Sequence, residues 1–401
     1  MHHAGHRDVN GAGRGPRGAS AGPVPQGAMQ DVPARIGDPL SAIDTPALVV
    51  DLDALEANIS HMAAFARGTN VKIRPHAKTH RCPAVALRQI AAGAFGQCVQ
   101  TVGEAEAMVA GGVHDVMVTN EIVSPSKLRR LATLARTATI SLLVDSPEGA
   151  DLASAAALEA GIELGCLVEI EVGMNRCGIA PARPAAQLAR HVADAPGLRF
   201  RGLQAYNGRS QHLPKFADRR AAVDRAADAV RETLAALQAE GLGAEIVGGA
   251  GTGTFRFEAA AGLWTELQVG SYVFMDREYS SLQGEGGRPD AEFRQSLFVL
   301  ATIVSRGAAD RAVANAGLKS MSAEQGTPGL DGVPDADVVA ISDEHSLIRL
   351  GAGAPDLNIG EPVRLVPSHC DPTVNLHEWI VAMRNDVVEE IWPVTARGAS
   401  R

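Results

Sequence analysis

The sequence predicts a large (β/α)8 TIM barrel followed by a smaller all-β domain. Three observations carry that prediction. The 401 residues exceed the size at which one hydrophobic core stops growing, so a second folding unit is expected. Eight apolar, β-prone runs alternate with Ala- and Leu-rich amphipathic segments over about 200 residues, which fits a barrel better than an open doubly wound sheet. Beyond Asp276 the texture changes to short β-prone runs without intervening helices.

Taken in order, residues 1–38 are rich in Gly, Pro, Ala and Arg and cannot bury enough surface to order themselves, so they read as a disordered extension, with Met29 a candidate start. The barrel is assigned to 39–285. Thr45–Leu52 reads as a strand, and Asp53 as the cap of a helix through about Arg67. The eight runs then begin near Val71, Phe95, Asp115, Thr139, Leu164, Phe200, Glu245 and Leu267. Residues 281–293 are polar and Gly-rich and read as a connection. The β domain is assigned to 286–401, with strands over 296–306, 312–316, 337–341, 347–350, 363–367, 379–384 and 387–394.

Composition narrows the function classes. With 46% hydrophobic and 21% charged residues the chain has the balance of a soluble globular enzyme. A net charge of −9 without a long basic run argues against nucleic acid or an anionic membrane as partner. Five cysteines without CxxC spacing read as reduced thiols and point to the cytoplasm. No stretch reaches the roughly 18 uncharged apolar residues of a membrane span, and the N-terminus has no apolar signal-peptide core.

The candidate chemistry gathers at strand ends, where a barrel would collect it. In V-K-I-R-P-H-A-K-T-H (71–80), Lys78 follows a short strand stopped by Pro75. A lysine there is ordinarily a solvated loop residue. Arg74, His76 and His80 around it would lower its pKa and free it for imine chemistry, so Lys78 is a candidate Schiff-base lysine. Gly251, Thr252, Gly253 and Thr254 after the seventh run form either a flexible loop or a phosphate cradle of backbone N–H groups and hydroxyls. Gly270-Ser271-Tyr272 after the eighth run strengthens the phosphate reading, because barrels commonly hold phosphate there. Arg176 could reach an anionic ring oxygen or form a structural ion pair, and Glu169 and Glu171 are either a buried acidic pair or solvated. Tyr206 and His212 follow the sixth run, His212 being a general-base candidate or a hydrogen-bonded loop residue. In P-S-H-C-D-P (367–372), an extended chain would turn His369 and Asp371 to one side, where they could share a divalent metal.

These motifs together resemble the D-threonine aldolase family, metal-activated relatives of alanine-racemase-like, fold type III pyridoxal-phosphate (PLP) enzymes. The likeness runs from about Asp38 to the C-terminus and rests on D-T-P-A-L-V-V-D-L, R-P-H-A-K-T-H, E-V-G-M-N-R-C-G, L-Q-A-Y-N-G-R-S-Q-H, G-A-G-T-G-T, E-L-Q-V-G-S-Y-V-F-M-D, D-E-H and P-S-H-C-D-P-T-V-N-L-H. The resemblance implies that Lys78 carries PLP, Arg176 meets its phenolic oxygen and Tyr206 lies near the ring. The Gly251–Thr254 loop and Tyr272 would hold the phosphate, His369 and Asp371 the metal, and His212 would sit by the reacting hydroxyl. It also implies an alanine-racemase-type barrel whose first strand (45–52) joins the second domain, and a homodimer. The implied reaction is retro-aldol cleavage of a D-β-hydroxy-α-amino acid, D-threonine giving glycine and acetaldehyde. Mn2+ or Mg2+ suits the oxygen ligand better than Zn2+ does. The rivals are a 3-hydroxy-D-aspartate aldolase, a D-serine dehydratase and a non-catalytic PLP carrier.

Overall fold

The structure, a computed structural model, describes residues 32–401. The assignment of 1–31 to an extension lies outside the described residues. Residues 33–38, assigned to the same extension, are instead tied to the second sheet: Gly37 N–H donates to Val388 O at 2.8 Å and Val388 N–H to Asp38 O at 2.9 Å. A Gly- and Pro-rich composition lacks a core of its own, but it can still pair along a sheet edge.

The first strand, β1 (Ala47–Asp51), leads into the helix Leu52–Thr69, and Asp51 rather than Asp53 is its cap, accepting the Ala54 N–H at 2.9 Å. The barrel strands are β2 (Lys72–Ile73), β3 (Gln97–Val99), β4 (Asp115–Glu121), β5 (Thr139–Val144), β6 (Leu164–Glu169), β7 (Leu198–Ala205), β8 (Ile246–Gly249) and β9 (Glu266–Leu267). All pair in parallel, in the order β2-β9-β8-β7-β6-β5-β4-β3. Bonds from Phe95 N to Ile73 O, Cys98 N to Pro75 O and Ala77 N to Cys98 O join β3 back to the segment after β2 and close the ring.

Side-chain alternation along the strands separates two apolar layers. Val116 and Val118, Leu142 and Val144, and Cys166 and Val168 pack in the main core shared with the helices, whereas Met117, Leu143 and Leu167 between them meet Cys98 and Ile246 inside the barrel. The floor of the barrel is ionic. Fully buried Arg74 donates from Nε to Glu266 Oε2 at 2.7 Å and pairs with Asp115 through Nη1. Arg74 thus contributes to the barrel floor and does not crowd Lys78. Arg74→Ala is expected to lower stability by about 3–5 kcal/mol, because Glu266 would be left buried and unpaired; denaturant unfolding reads this directly.

The second sheet contains β10 (Leu297–Ala308), β11 (Arg311–Ala314), β12 (Gly329–Leu330), β13 (Ala336–Ile341), β14 (Ser346–Leu350), β15 (Pro362–Val366), β16 (Trp379–Arg384) and β17 (Val387–Pro393). Its main path is β13-β14-β11-β10-β1-β16-β17, with β15 joining β10 to β12. β1 lies antiparallel to β10 and parallel to β16, so the described chain passes from this sheet into the barrel and returns to the sheet.

One short helix interrupts the strands here, Cys370–Val374, directly after His369. The extended reading of 369–371 is therefore corrected from Cys370 onward. His369 is extended, but Cys370 starts a turn that Pro372 tolerates in its first residues, and Thr373 Oγ1 donates back to His369 O at 2.8 Å.

Candidate active site

An open cavity lies at the C-terminal end of the barrel strands. Lys78, Arg176, Tyr206, His212, His369 and Asp371 all line it. Lys78 sits in the turn after β2, Arg176 and Tyr206 follow β6 and β7, and His212 ends a short 3-10 helix, Arg209–His212. His369 and Asp371 arrive from the second sheet, joined to the barrel by Asp276. That fully buried carboxylate caps the helix Arg277–Ser280 with Oδ1 and accepts the Cys370 N–H with Oδ2 at 2.9 Å.

Lys78 Nζ stands 3.6 Å from Asp371 Oδ2. Burial lowers the lysine's pKa, but Asp371, through its charge and hydrogen bond, and Tyr206 together more than offset it and the net shift is upward. The expectation of a depressed lysine is overturned. Arg74 spends its charge on Glu266 and Asp115, while His76 and His80 are held neutral, His76 well below the usual imidazole value and His80 near 4, chiefly by burial. Asp371 shows the reciprocal effect. Burial would raise its pKa, yet Lys78 and then His369 hold it below the ordinary carboxylate value.

His76 fixes the turn that carries Lys78. Its Nε2 lies 2.9 Å from Thr119 Oγ1, and that hydroxyl donates to Val99 O, so Nε2 carries the proton. Its Nδ1 is then free to accept the Lys78 backbone N–H at 3.3 Å.

Arg176 Nη2 lies 3.8 Å from Glu169 Oε1, and its guanidinium carbon 6.0 Å from the Tyr206 ring centre. Glu169 is buried, and burial followed by the Glu121 carboxylate pushes its pKa up. Glu171 faces elsewhere and caps the Gly173 N–H, so the two acids do not form a pair.

The phosphate reading divides by residue. Gly251 and Thr252 line the cavity beside Gly270 and Ser271. A Cβ on Gly251 would stand 2.6 Å from Gln211 Oε1, and one on Gly270 2.5 Å from Thr79 Oγ1, so both positions must stay small. Thr79 Oγ1 is itself buried without a partner and borders the same space. Gly253 and Thr254 lie behind the wall: Gly253 N–H donates to Gln211 Oε1, and the Thr254 hydroxyl donates to Glu258 Oε1 at 2.7 Å. Tyr272 is not a wall residue either. Its hydroxyl accepts from Gln89 Nε2 at 3.0 Å in the core, and only its backbone N–H turns toward the loop, donating to Thr252 Oγ1 at 2.9 Å. PLP fits what remains: an amine in reach, a guanidinium, small residues around an unpaired hydroxyl, and one carboxylate against several cationic groups.

Two of the three cavity histidines, His212 and His369, are oriented by carboxylates. His212 Nδ1 is bonded to Glu278 Oε1 and His369 Nδ1 to Glu324 Oε1, while His369 Nε2 lies 4.0 Å from Asp371 Oδ2. Two donors at that separation can meet one ion, since ligand bonds of about 2.1 Å span up to about 4.2 Å together. Among the described residues no third His, Cys, Asp or Glu joins them.

Sequence reasoning missed Tyr279, which lines the cavity, and the orienting Glu278 and Glu324. It also passed over the polar residues Gln204 and Gln268 on the inner wall. Gln204 was within reach of the pattern, two residues before Tyr206 on the same strand face. Glu278 and Tyr279 lie on the short helix Arg277–Ser280, Gln268 directly follows β9 and Glu324 is on a loop, and no local spacing places these four against the site.

Comparison with known proteins identifies the family. Residues 50–278 match the family described as alanine racemase, N-terminal domain, and residues 296–383 match a serine dehydratase domain family. The chain is 46% identical to a D-threonine aldolase of Arthrobacter sp. over 92% of its own length and 97% of that protein. It is 44% identical to a 3-hydroxy-D-aspartate aldolase of Paracoccus denitrificans (strain Pd 1222), over 92% of this chain and 96% of the relative. The crystal structure of the D-threonine aldolase from Filomicrobium marinum superposes with a TM-score of 0.89 at 45% identity, covering 92% of this chain and all of that one. On its barrel, its second sheet and these matches, the chain belongs to the D-threonine aldolase family, built on the alanine racemase scaffold.

Proposed function

We propose that this protein is a PLP- and divalent-metal-dependent carbon–carbon lyase that cleaves D-β-hydroxy-α-amino acids, converting D-threonine to glycine and acetaldehyde. The observation that carries the reading is the convergence of Lys78 Nζ and Asp371 Oδ2, 3.6 Å apart in one cavity. An amine site on the barrel and a metal pair on the second sheet can thereby grip opposite ends of one small amino acid.

When bound, PLP supplies a conjugated ring that accepts the electron pair released as Cα–Cβ breaks. Lys78 is the residue for its attachment, Arg176 is placed for the phenolic oxygen, and Gly251, Thr252, Gly270 and Ser271 for the phosphate. His369 and Asp371 would hold the divalent ion, Mn2+ or Mg2+ before Zn2+, whose Lewis acidity makes the substrate hydroxyl easier to deprotonate.

His212 is the base for that hydroxyl proton. Its Nδ1 is held by Glu278, which leaves Nε2 to face the substrate. The Glu278 hydrogen bond raises the histidine's pKa, so His212 stays protonated to higher pH than a free imidazole and becomes a base only above its own folded-state pKa. Activity should rise with pH through that value. Glu278→Gln should move this acid limb to lower pH, and His212→Asn should lower kcat by about 10²-fold or more; kcat profiles against pH read both. Because Lys78 on one side and the His369/Asp371 pair on the other would fix both ends of a bound amino acid in one cavity, selection at Cα should be strict.

Asp371 offers the ion an oxygen ligand, which suits the harder Mn2+ or Mg2+ and favours the aldolase reading over a zinc-dependent dehydratase. The active unit is proposed to be a homodimer, which light scattering would test. Purified protein with PLP and Mn2+ should release glycine and an aldehyde from D-threonine or D-3-hydroxyaspartate and nothing from L-threonine. The faster of the two names the preferred side chain. Pyruvate from D-serine without aldehyde from D-threonine would move the assignment to the dehydratase.

A further inference from the structure

We propose that Glu324 is a positioning residue for the metal, setting the affinity of the His369/Asp371 pair for its ion without touching it. The inference rests on the reading of that pair as the metal site. A carboxylate accepts and cannot donate, so its bond to His369 Nδ1 requires the proton on Nδ1 and leaves the Nε2 lone pair free. That Nε2 is the atom facing Asp371 Oδ2. Without Glu324 the ring could carry its proton on Nε2, the wrong nitrogen for a ligand, and could rotate away.

Glu324 is delivered by a loop sewn to the metal-bearing segment on both sides. Ser322 N–H donates to Thr373 Oγ1 at 3.1 Å, Ser368 Oγ donates to Ser322 O at 3.0 Å, and His377 Nε2 donates to Ser320 O at 2.7 Å. Ser368 immediately precedes His369, and Thr373 is on the helix that carries Asp371, so the loop, the histidine and the carboxylate ligand move as one piece. Asp276 adds a second tie through the Cys370 N–H. Among the described residues the His369 ring makes its side-chain hydrogen bond to Glu324, which is half exposed.

The test is Mn2+ affinity of the PLP-loaded protein, measured by titration with electron paramagnetic resonance of the free ion, in the parent, Glu324→Ala, Glu324→Gln and Asp371→Ala. Loss of an outer partner to a ligating histidine typically weakens metal binding about 10–100-fold. Glu324→Ala is expected near the lower end because the site is partly open to water. Glu324→Gln should fall between it and the parent, since its amide oxygen still accepts the Nδ1 proton without the charge. The visible cofactor band and the melting temperature should stay unchanged, which a general structural role for Glu324 would not allow. If Asp371→Ala loses Mn2+ while Glu324→Ala binds it within twofold of the parent, the Glu324 inference is wrong and the site stands. If Asp371→Ala binds Mn2+ like the parent, the metal site itself is misassigned and the inference falls with it.

Discussion

Lys78→Ala should lose the visible absorbance of bound PLP on dialysis and lower the rate of D-threonine cleavage by on the order of 10⁴-fold or more, the scale on which removal of a covalent catalytic residue is felt. The reason is positional as well as chemical. Lys78 Nζ is the amine that faces Asp371 in the cavity, 3.6 Å from Oδ2, and its turn is held by the His76 ring at its own backbone N–H. Lys78→Arg keeps the charge that Asp371 faces but cannot form the imine, so it should fail as fully as alanine while leaving the fold intact. Absorbance spectra before and after dialysis, with a coupled assay for acetaldehyde, separate lost cofactor from lost chemistry. A visible band that survives dialysis in Lys78→Ala would place the attachment elsewhere.

Asp371→Ala should keep the cofactor band and still lose about 10³-fold or more in aldol cleavage. Lewis-acid stabilisation is worth several kcal/mol, at 1.36 kcal/mol per power of ten in rate. Chelation of the parent protein should reproduce the defect, and Mn2+ should restore the parent but not the variant. Chelating the variant should cost nothing more, because both treatments remove the same ion. A racemase or a PLP carrier would be indifferent to all three treatments, so the pattern discriminates function as well as site. In the cofactor-free protein the variant also removes a charge that favours protonated Lys78, so the free amine should titrate lower there than in the cofactor-free parent.

The starts of the barrel strands were legible because apolar β-prone runs and their helical spacers obey local rules. The runs beginning near Asp115, Thr139 and Leu164 coincide with β4, β5 and β6. The site was legible as a set of motifs at strand ends, and Lys78, Arg176, Tyr206, His212, His369 and Asp371 do share one cavity. What could not be read was the direction in which each side chain spends its polar group. Arg74 stands beside Lys78 in sequence, yet its guanidinium goes to Glu266, 192 residues away, and Asp115, 41 away. The Lys78 environment was therefore misjudged in sign, with Asp371 from the other sheet raising a pKa that near neighbours were expected to lower. Tyr272 belongs to a phosphate-site motif by position, but its ring turns into the core to meet Gln89. The carboxylates behind the two histidines lie 66 and 45 residues away in the chain, a separation that only tertiary structure closes.

The central claim is that one cavity joins an imine-forming amine of the barrel to a metal ion held by the second sheet. Anomalous diffraction at the manganese edge, from crystals grown with PLP and Mn2+, tests it most directly. The account predicts a single strong anomalous peak within bonding distance of His369 Nε2 and an Asp371 carboxylate oxygen, together with electron density continuous from Lys78 Nζ into the cofactor. A peak at another cluster of ligands, or cofactor density joined to a different lysine, would contradict it.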